Sequence, residues 1–176
     1  YQDRISLSST IAKEIAIAYD RLNAVNPSDK YAQISGRDYV SGAMENTTCT
    51  LHGDAVQQDA RELVDGNNWE STIAHELFHQ WFGDLVTCES WSNLSLNESF
   101  ATYAEYLWNE YKSGREEADM HHYQARQGYL RGDKEANLIR FYYEDKEDMF
   151  DGISYTKGGQ ILHTPGHLNS CLYPAK

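Results

Sequence analysis

Residues 67–83 read Asn67-Asn68-Trp69-Glu70-Ser71-Thr72-Ile73-Ala74-His75-Glu76-Leu77-Phe78-His79-Gln80-Trp81-Phe82-Gly83. Asn67, with Glu70 three residues on, has the form of a capping box, and Gly83 has the form of a stop; together they predict a helix running to about Phe82. Within it lies His75-Glu76-Leu77-Phe78-His79, an HExxH pattern. At 100° per residue, His75 and His79 fall about 40° apart on one helix face, so both imidazoles can reach one metal ion. Glu76 sits about 100° round from His75, placed to hold a water at the metal rather than the metal itself. Ile73, Leu77 and Trp81 recur every four residues on the opposite side. One helix therefore carries a wet, ligand-bearing face and an apolar, core-bearing face. Two helical histidines at this spacing also occur as a simple solvated pair, so the rest of the chain has to supply the remainder of a site.

A catalytic zinc ion keeps three protein ligands and one open position. Eighteen residues lie between His79 and Glu98, which stands near the start of a second predicted helix, Leu96 to about Lys112, closed by Ser113-Gly114. Ser95-x-x-Glu98 is itself a capping-box pattern, so Glu98 has two readings, as third ligand or as helix cap. They part on direction: a ligand must leave the helix end and face the HExxH helix. Another helix is expected from about Glu116 to Leu130, and one over residues 5–25 ending before Asn26-Pro27. Lys30 to Thr50 has no helical rhythm and is rich in Gly, Ser, Thr and Tyr, which predicts one or two strands. Residues 141–151, with acids among Tyr143, Met149 and Phe150, read as loop and turn.

Composition narrows the function class. The net charge is −12 over 176 residues, with a pI near 4.9. A surface that acidic repels phosphate backbones, so no nucleic-acid partner is expected. No apolar run approaches the length of a membrane span; the best stretch, Ile5 to Tyr19, is broken by Lys13 and Glu14. Cys49, Cys88 and Cys171 are odd in number and far apart, which excludes a disulfide scaffold or a cysteine-rich zinc module and leaves the compartment open. The chain opens at Tyr1 rather than Met, so further sequence is expected upstream.

A second anchor is Gly42-Ala43-Met44-Glu45-Asn46, with Glu45 thirty residues before His75. GAMEN ahead of HExxH-x18-E resembles the aminopeptidase N-like zinc aminopeptidases, a gluzincin family. The resemblance extends through Trp69 to Ala74, through Gln80 to Thr87, and into Trp91-Ser92-Asn93-Leu94. It returns at Met149-Phe150-Asp151-Gly152-Ile153-Ser154-Tyr155-Thr156-Lys157-Gly158, similar to the family's tyrosine segment. Coverage is good from about Asp38 to His163.

The resemblance implies an α+β, thermolysin-like zincin catalytic domain, mainly helical, with a small sheet that has GAMEN near its edge. It is incomplete: residues 1–163 would be a partial gluzincin catalytic domain and residues 164–176 a divergent tail. The flanking β-domain and helical domain of family members have no counterpart. One Zn2+ ion would be held by His75, His79 and Glu98. Glu76 would act as general base, Tyr155 would stabilise the oxyanion, and Glu45 would bind a free α-amino group. Gly42, Ala43, Met44 and Asn46 would line the substrate backbone by strand addition. The implied partners are peptides with a free N-terminus. Two alternatives stay open, a zinc endopeptidase and a truncated, non-catalytic zinc- or peptide-binding remnant.

Metal-bound histidines usually donate their second N–H to a carboxylate or carbonyl. Glu105, seven residues past Glu98 on the same helix face, is a candidate for that outer role, as is a plain solvated acid. His121, His122, His163 and His167 read as surface residues, the last two because they bracket Pro165-Gly166.

Overall fold

The computed structural model describes Ile15 and residues 28–67, 69–132 and 136–164, in two compact units, 1–85 and 86–176. The helix expected over residues 5–25 and the tail beyond Thr164 lie outside the described residues, apart from Ile15, which is helical and fully buried. The described elements are helix-rich with one small sheet, an α+β composition.

In the first unit, β1 (Ala32–Gly36), β2 (Ala43–Met44) and β3 (Cys49–Gly53) form a three-stranded sheet in the order β1-β3-β2. β1 runs parallel to β3 and β2 antiparallel to it, with Ala43 opposite His52 and Met44 opposite Leu51. The strand carrying Ala43-Met44 is thus an edge strand, as expected. Thr50 and His52 point inward from the central strand and are buried polar groups. Each has a partner from β1 or just before it: the Tyr31 hydroxyl donates to Thr50 Oγ1 (2.8 Å), and His52 Nε2 pairs with Gln33 Oε1 (2.8 Å), while His52 Nδ1 is buried without one. A carboxamide oxygen only accepts, so His52 carries its proton on Nε2.

The helix α1 spans Glu70–Phe78 and buries Ile73, Ala74 and Leu77 at 1% exposure or less, with Trp81 beyond it at 8%. Burying a side chain the size of Ile73 or Leu77 fully contributes about 1.5–3 kcal/mol. Two expectations are corrected here. The capping box is absent: Trp69 is the cap residue with no side-chain bond, and Asn67 Oδ1 instead accepts from Trp69 N (3.4 Å). The helix also ends before His79, because residues 79–82 tighten into i→i+3 turns: Gln80 N bonds Leu77 O (3.2 Å) and Trp81 N bonds Phe78 O (3.0 Å).

The second unit packs α2 (Ser95–Ser113) against α3 (Arg115–Tyr129) and α4 (Gly158–His163). Both α2 and α3 were foreseen almost to the residue, with Gly114 (φ 90°) as the break between them. Ala101, Ala104 and Trp108 make a buried stripe along α2. Gly158 at the start of α4 touches that helix: a Cβ there would lie 1.7 Å from Ser99 Oγ, so no other residue fits. Between 141 and 151 the loop contains one 3-10 turn, Lys146–Met149, capped by Asp145, whose side chain accepts from Glu147 N (3.0 Å). A π-helical turn, Ile153–Lys157, precedes α4.

His122 and His163 are half-buried rather than free on the surface. Their ring centroids lie 4.1 Å apart, Tyr106 packs on both, and the Tyr106 hydroxyl donates to Asp119 (2.8 Å). The apolar side of α3 turns His122 inward, an outcome that adjacency to His121 concealed.

Burial lowers the His52 imidazole to about 4; burial, with His163, Arg126 and His121 nearby, does the same to His122 against the opposing pull of Asp119. An unfolded histidine titrates near 6.5. Between those values the unfolded chain binds more protons than the native one, so stability falls as pH drops from about 6.5 to about 4. Denaturant unfolding at pH 7 and pH 5 should register this loss, and a His52→Gln/His122→Gln variant should show a flatter pH slope than the parent.

Candidate active site

The first unit gathers four of the candidate residues from α1, the turn after it and the chain leaving β2. α1 brings His75 and Glu76, the turn after it brings His79, and the chain leaving β2 brings Glu45. The two imidazoles stand edge to face, with centroids 4.8 Å apart, as the i, i+4 spacing demands. Ligand-capable atoms of Glu45, Glu76 and His79 all lie within 4.8 Å of one another. The GAMEN and HExxH motifs therefore meet in space. The face expected to be wet is in fact enclosed: His75 is 8% exposed, Glu76 7% and His79 1%. Helical periodicity gives the direction of a face and says nothing about what covers it.

His79 is held by the turn that follows it. Its Nδ1 lies 2.8 Å from the Phe82 carbonyl oxygen. A carbonyl can only accept, so the proton sits on Nδ1 and the lone pair on Nε2, the tautomer a metal ligand requires. That geometry needs Gly83. Its φ is +131°, and a Cβ there would stand 2.8 Å from His79 Nδ1. The outer partner of this histidine is thus a main-chain carbonyl three residues away.

Gln80 ties the two motifs together. Fully buried, it accepts from Thr48 N at Oε1 (2.8 Å) and donates from Nε2 to the Glu45 carbonyl (3.4 Å). Thr48 adopts φ 65°, unusual for a β-branched residue, within the turn that this amide braces. Asp84, just past Gly83, belongs to the same surroundings. Burial and the charge of Glu45 raise its carboxyl above the ordinary value, while a bond from Thr47 and the neighbouring His79 oppose them. Neither Gln80 nor Asp84 was singled out from sequence; the single signal was their position in the stretch flanking HExxH. Gly42 and Asn46 are exposed, Met44 is 40% exposed, and Ala43 is half-buried, so the edge strand offers its outer side.

In the second unit Glu98 sits in the first turn of α2, in line with the buried stripe of Ala101 and Ala104, and is 4% exposed. The competing cap reading fails. Leu94, not Ser95, is the cap residue, and Glu98 N already donates to Leu94 O (3.0 Å). A carboxylate where an apolar side chain would pack has to be compensated, and the positive end of the helix dipole supplies part of that. Its neighbour Ser99 donates to the Ser154 carbonyl (2.7 Å), which fastens α2 to the turn carrying Tyr155. Tyr155 itself is half-buried. Glu105 is half-buried and lines a small cavity with Tyr106, His122 and Gln160.

Replacing Gly83 by Ala should move the Phe82 carbonyl off His79 and weaken metal affinity by about 10–100-fold, the usual effect of losing an outer-shell partner. Competition against a chromophoric chelator measures this directly, and unchanged affinity would show that the carbonyl contact does not orient the imidazole.

A profile of the peptidase family M1 domain matches residues 8–171. The chain is 36% identical over 162 residues to aminopeptidase N of Streptomyces lividans and 35% identical over 153 residues to aminopeptidase N of Bos taurus. Those alignments cover 81% and 80% of this chain but 18% and 16% of the relatives, so the chain spans under a fifth of their length. Among solved structures, the M1 zinc metallopeptidase of Deinococcus radiodurans superposes with a TM-score of 0.69 at 26% identity, covering 85% of this chain and 31% of that one. A mutant of that enzyme bound to a Tyr-Ser-Ala substrate is similar too, with a TM-score of 0.64 at 25% identity and the same coverage. With the family profile running over nearly all of it, this chain belongs to the peptidase family M1.

Proposed function

We propose that this chain is the metal-bearing core of a zinc aminopeptidase of the thermolysin-like zincin class. The observation that carries the reading is the convergence of Glu45, Glu76 and His79 within 4.8 Å. A zinc endopeptidase needs Glu76 and the histidines. A second carboxylate beside them is what a free α-ammonium requires.

The residues fit the ion of the solved relatives. His75, His79 and Glu98 are each buried and offer two imidazoles and one carboxylate, a donor set suited to a catalytic zinc with an open position. The tautomer of His79 imposed by Phe82 agrees with that use. When bound, zinc supplies Lewis acidity for the scissile carbonyl and lowers the pKa of water. Glu76 takes the proton of the attacking water and returns it to the leaving amine. Tyr155 donates its phenolic hydrogen to the oxyanion formed at the scissile carbon. Glu45 pairs with the substrate's α-ammonium, and the outer side of Ala43-Met44 pairs with its backbone, with Gly42 and Asn46 at either end of that strand. Glu105 stays a candidate for the outer role beside a metal-bound histidine.

The substrates are peptides with a free N-terminus. Acetylating the N-terminus removes the charge that Glu45 binds, so kcat/KM for a peptide should exceed that for its acetylated twin by about 100-fold or more. Equal cleavage of both would point to the endopeptidase. Glu76→Gln should keep stoichiometric zinc and lose at least about 100-fold in kcat, whereas His79→Ala should lose the metal. Zinc analysis with aminoacyl-anilide turnover reads both. Bound zinc with no hydrolysis by the unsubstituted protein would leave the binding remnant as the correct reading.

A further inference from the structure

Tyr155 sits in the middle of a π-helical turn, and such turns are rarely stable without outside support. Here the i→i+5 bond runs from Lys157 N to the Gly152 carbonyl (2.9 Å), and Tyr155 N donates to the Asp151 carbonyl (3.1 Å). Besides the Ser99 bond to the Ser154 carbonyl, support comes from an ion pair. Arg140 grips Asp151 with both ends of its guanidinium, Nη1 to Oδ2 at 2.6 Å and Nη2 to Oδ1 at 3.0 Å. Nη2 also reaches Ser154 Oγ (3.1 Å) and the Met149 carbonyl (3.3 Å). The Asp151 carboxylate, so fixed, accepts from Ile153 N (3.0 Å) and Ser154 N (3.1 Å) and caps the first residues of the turn. The Arg140 side chain is 15% exposed and that of Asp151 34%, so solvent reaches the pair from the carboxylate side and its strength rests on the two-pronged geometry. Its own backbone is anchored too, by Arg140 N to the Ser92 carbonyl (3.2 Å) just ahead of α2.

We propose that Arg140 is a positioning residue for Tyr155: its two-pronged hold on Asp151 keeps the π-helical turn in register and so delivers the phenol to the forming oxyanion. This rests on the role assigned above to Tyr155. Nothing in the residue's sequence context marks it, since Arg140 lies fifteen residues before the tyrosine in a stretch that reads as irregular chain. The planar fork is what the job needs. It spans both carboxylate oxygens and a serine hydroxyl at once, whereas a lysine ammonium reaches as a single point. Asp151 responds accordingly: burial alone would raise its carboxyl, yet the bonds from Arg140, Ser154 N and Ile153 N hold it below the usual carboxylate value.

The test is a mutant cycle on the zinc-loaded protein, with zinc content and thermal unfolding measured alongside and hydrogen exchange run on the metal-free form. Tyr155→Phe should lower kcat by about 100-fold with KM little changed, the typical effect of removing one oxyanion donor. Arg140→Ala should lower kcat by about 30-fold or more with KM within about 3-fold and zinc content unchanged, and Arg140→Lys should recover only part of it. In the Tyr155→Phe background, Arg140→Ala should cost less than about 3-fold more, because a residue acting through the phenol has nothing left to position. Amide exchange in Arg140→Ala should quicken at residues 153–157 while residues 70–78 stay protected. If the two losses multiply in the double variant, or Arg140→Ala turns over at the parent kcat, the positioning role is wrong. If Tyr155→Phe itself keeps full kcat, the oxyanion assignment has failed first, and Arg140 falls with it. Should Arg140→Ala unfold, Arg140→Lys in both backgrounds decides the same question.

Discussion

Ionisable groups taken out of water have to be offset by something, and this chain buries an unusual set of them. His75, Glu76, His79 and Glu98 are each less than 9% exposed in a molecule that already carries a net charge of −12. Burying an uncompensated carboxylate costs several kcal/mol. Such a set is tolerable when a divalent cation supplies the missing positive charge, and it would be a poor choice for packing alone. Much of the surrounding architecture can be understood as keeping these groups oriented while that cost is met.

Orientation is achieved by main-chain and neutral groups more than by further charges. A backbone carbonyl sets the tautomer of His79, a glycine makes room for it, and the neutral Gln80 amide braces the turn beside Glu45. Adding carboxylates for the same purposes would have deepened the electrostatic penalty. The ion pair of Arg140 with Asp151 is internally neutral and serves the turn that bears Tyr155. Ser99 then links that turn to the helix of Glu98 through a single 2.7 Å bond, with Gly158 allowing the close approach.

Much of this was legible in advance where the determinants are local. The ends of α2 and α3 follow from Gly114 and from apolar spacing, a strand around Ala43-Met44 follows from the lack of helical rhythm there, and its edge position is what the family resemblance implies. The misses have a common physical origin. The Asn67–Glu70 and Ser95–Glu98 pairs both have capping-box spelling, yet neither forms, because the helices take Trp69 and Leu94, not Asn67 and Ser95, as their cap residues. Adjacency to His121 says nothing of what His122 packs against; its ring neighbours, Tyr106 and His163, come from other helices.

By itself the sequence determined the donor types, their spacing and the face on which they stand, since one helix repeats every 3.6 residues whatever surrounds it. It also determined the family, through motifs long enough to be distinctive. Tertiary structure alone decided that the ligand face is enclosed, that Gln80 spans to Thr48 across 32 residues, and that Arg140 closes on Asp151. Those contacts join positions with no periodic relation to one another. Their partners are selected by how separate segments pack, and no local rule of the chain encodes that choice.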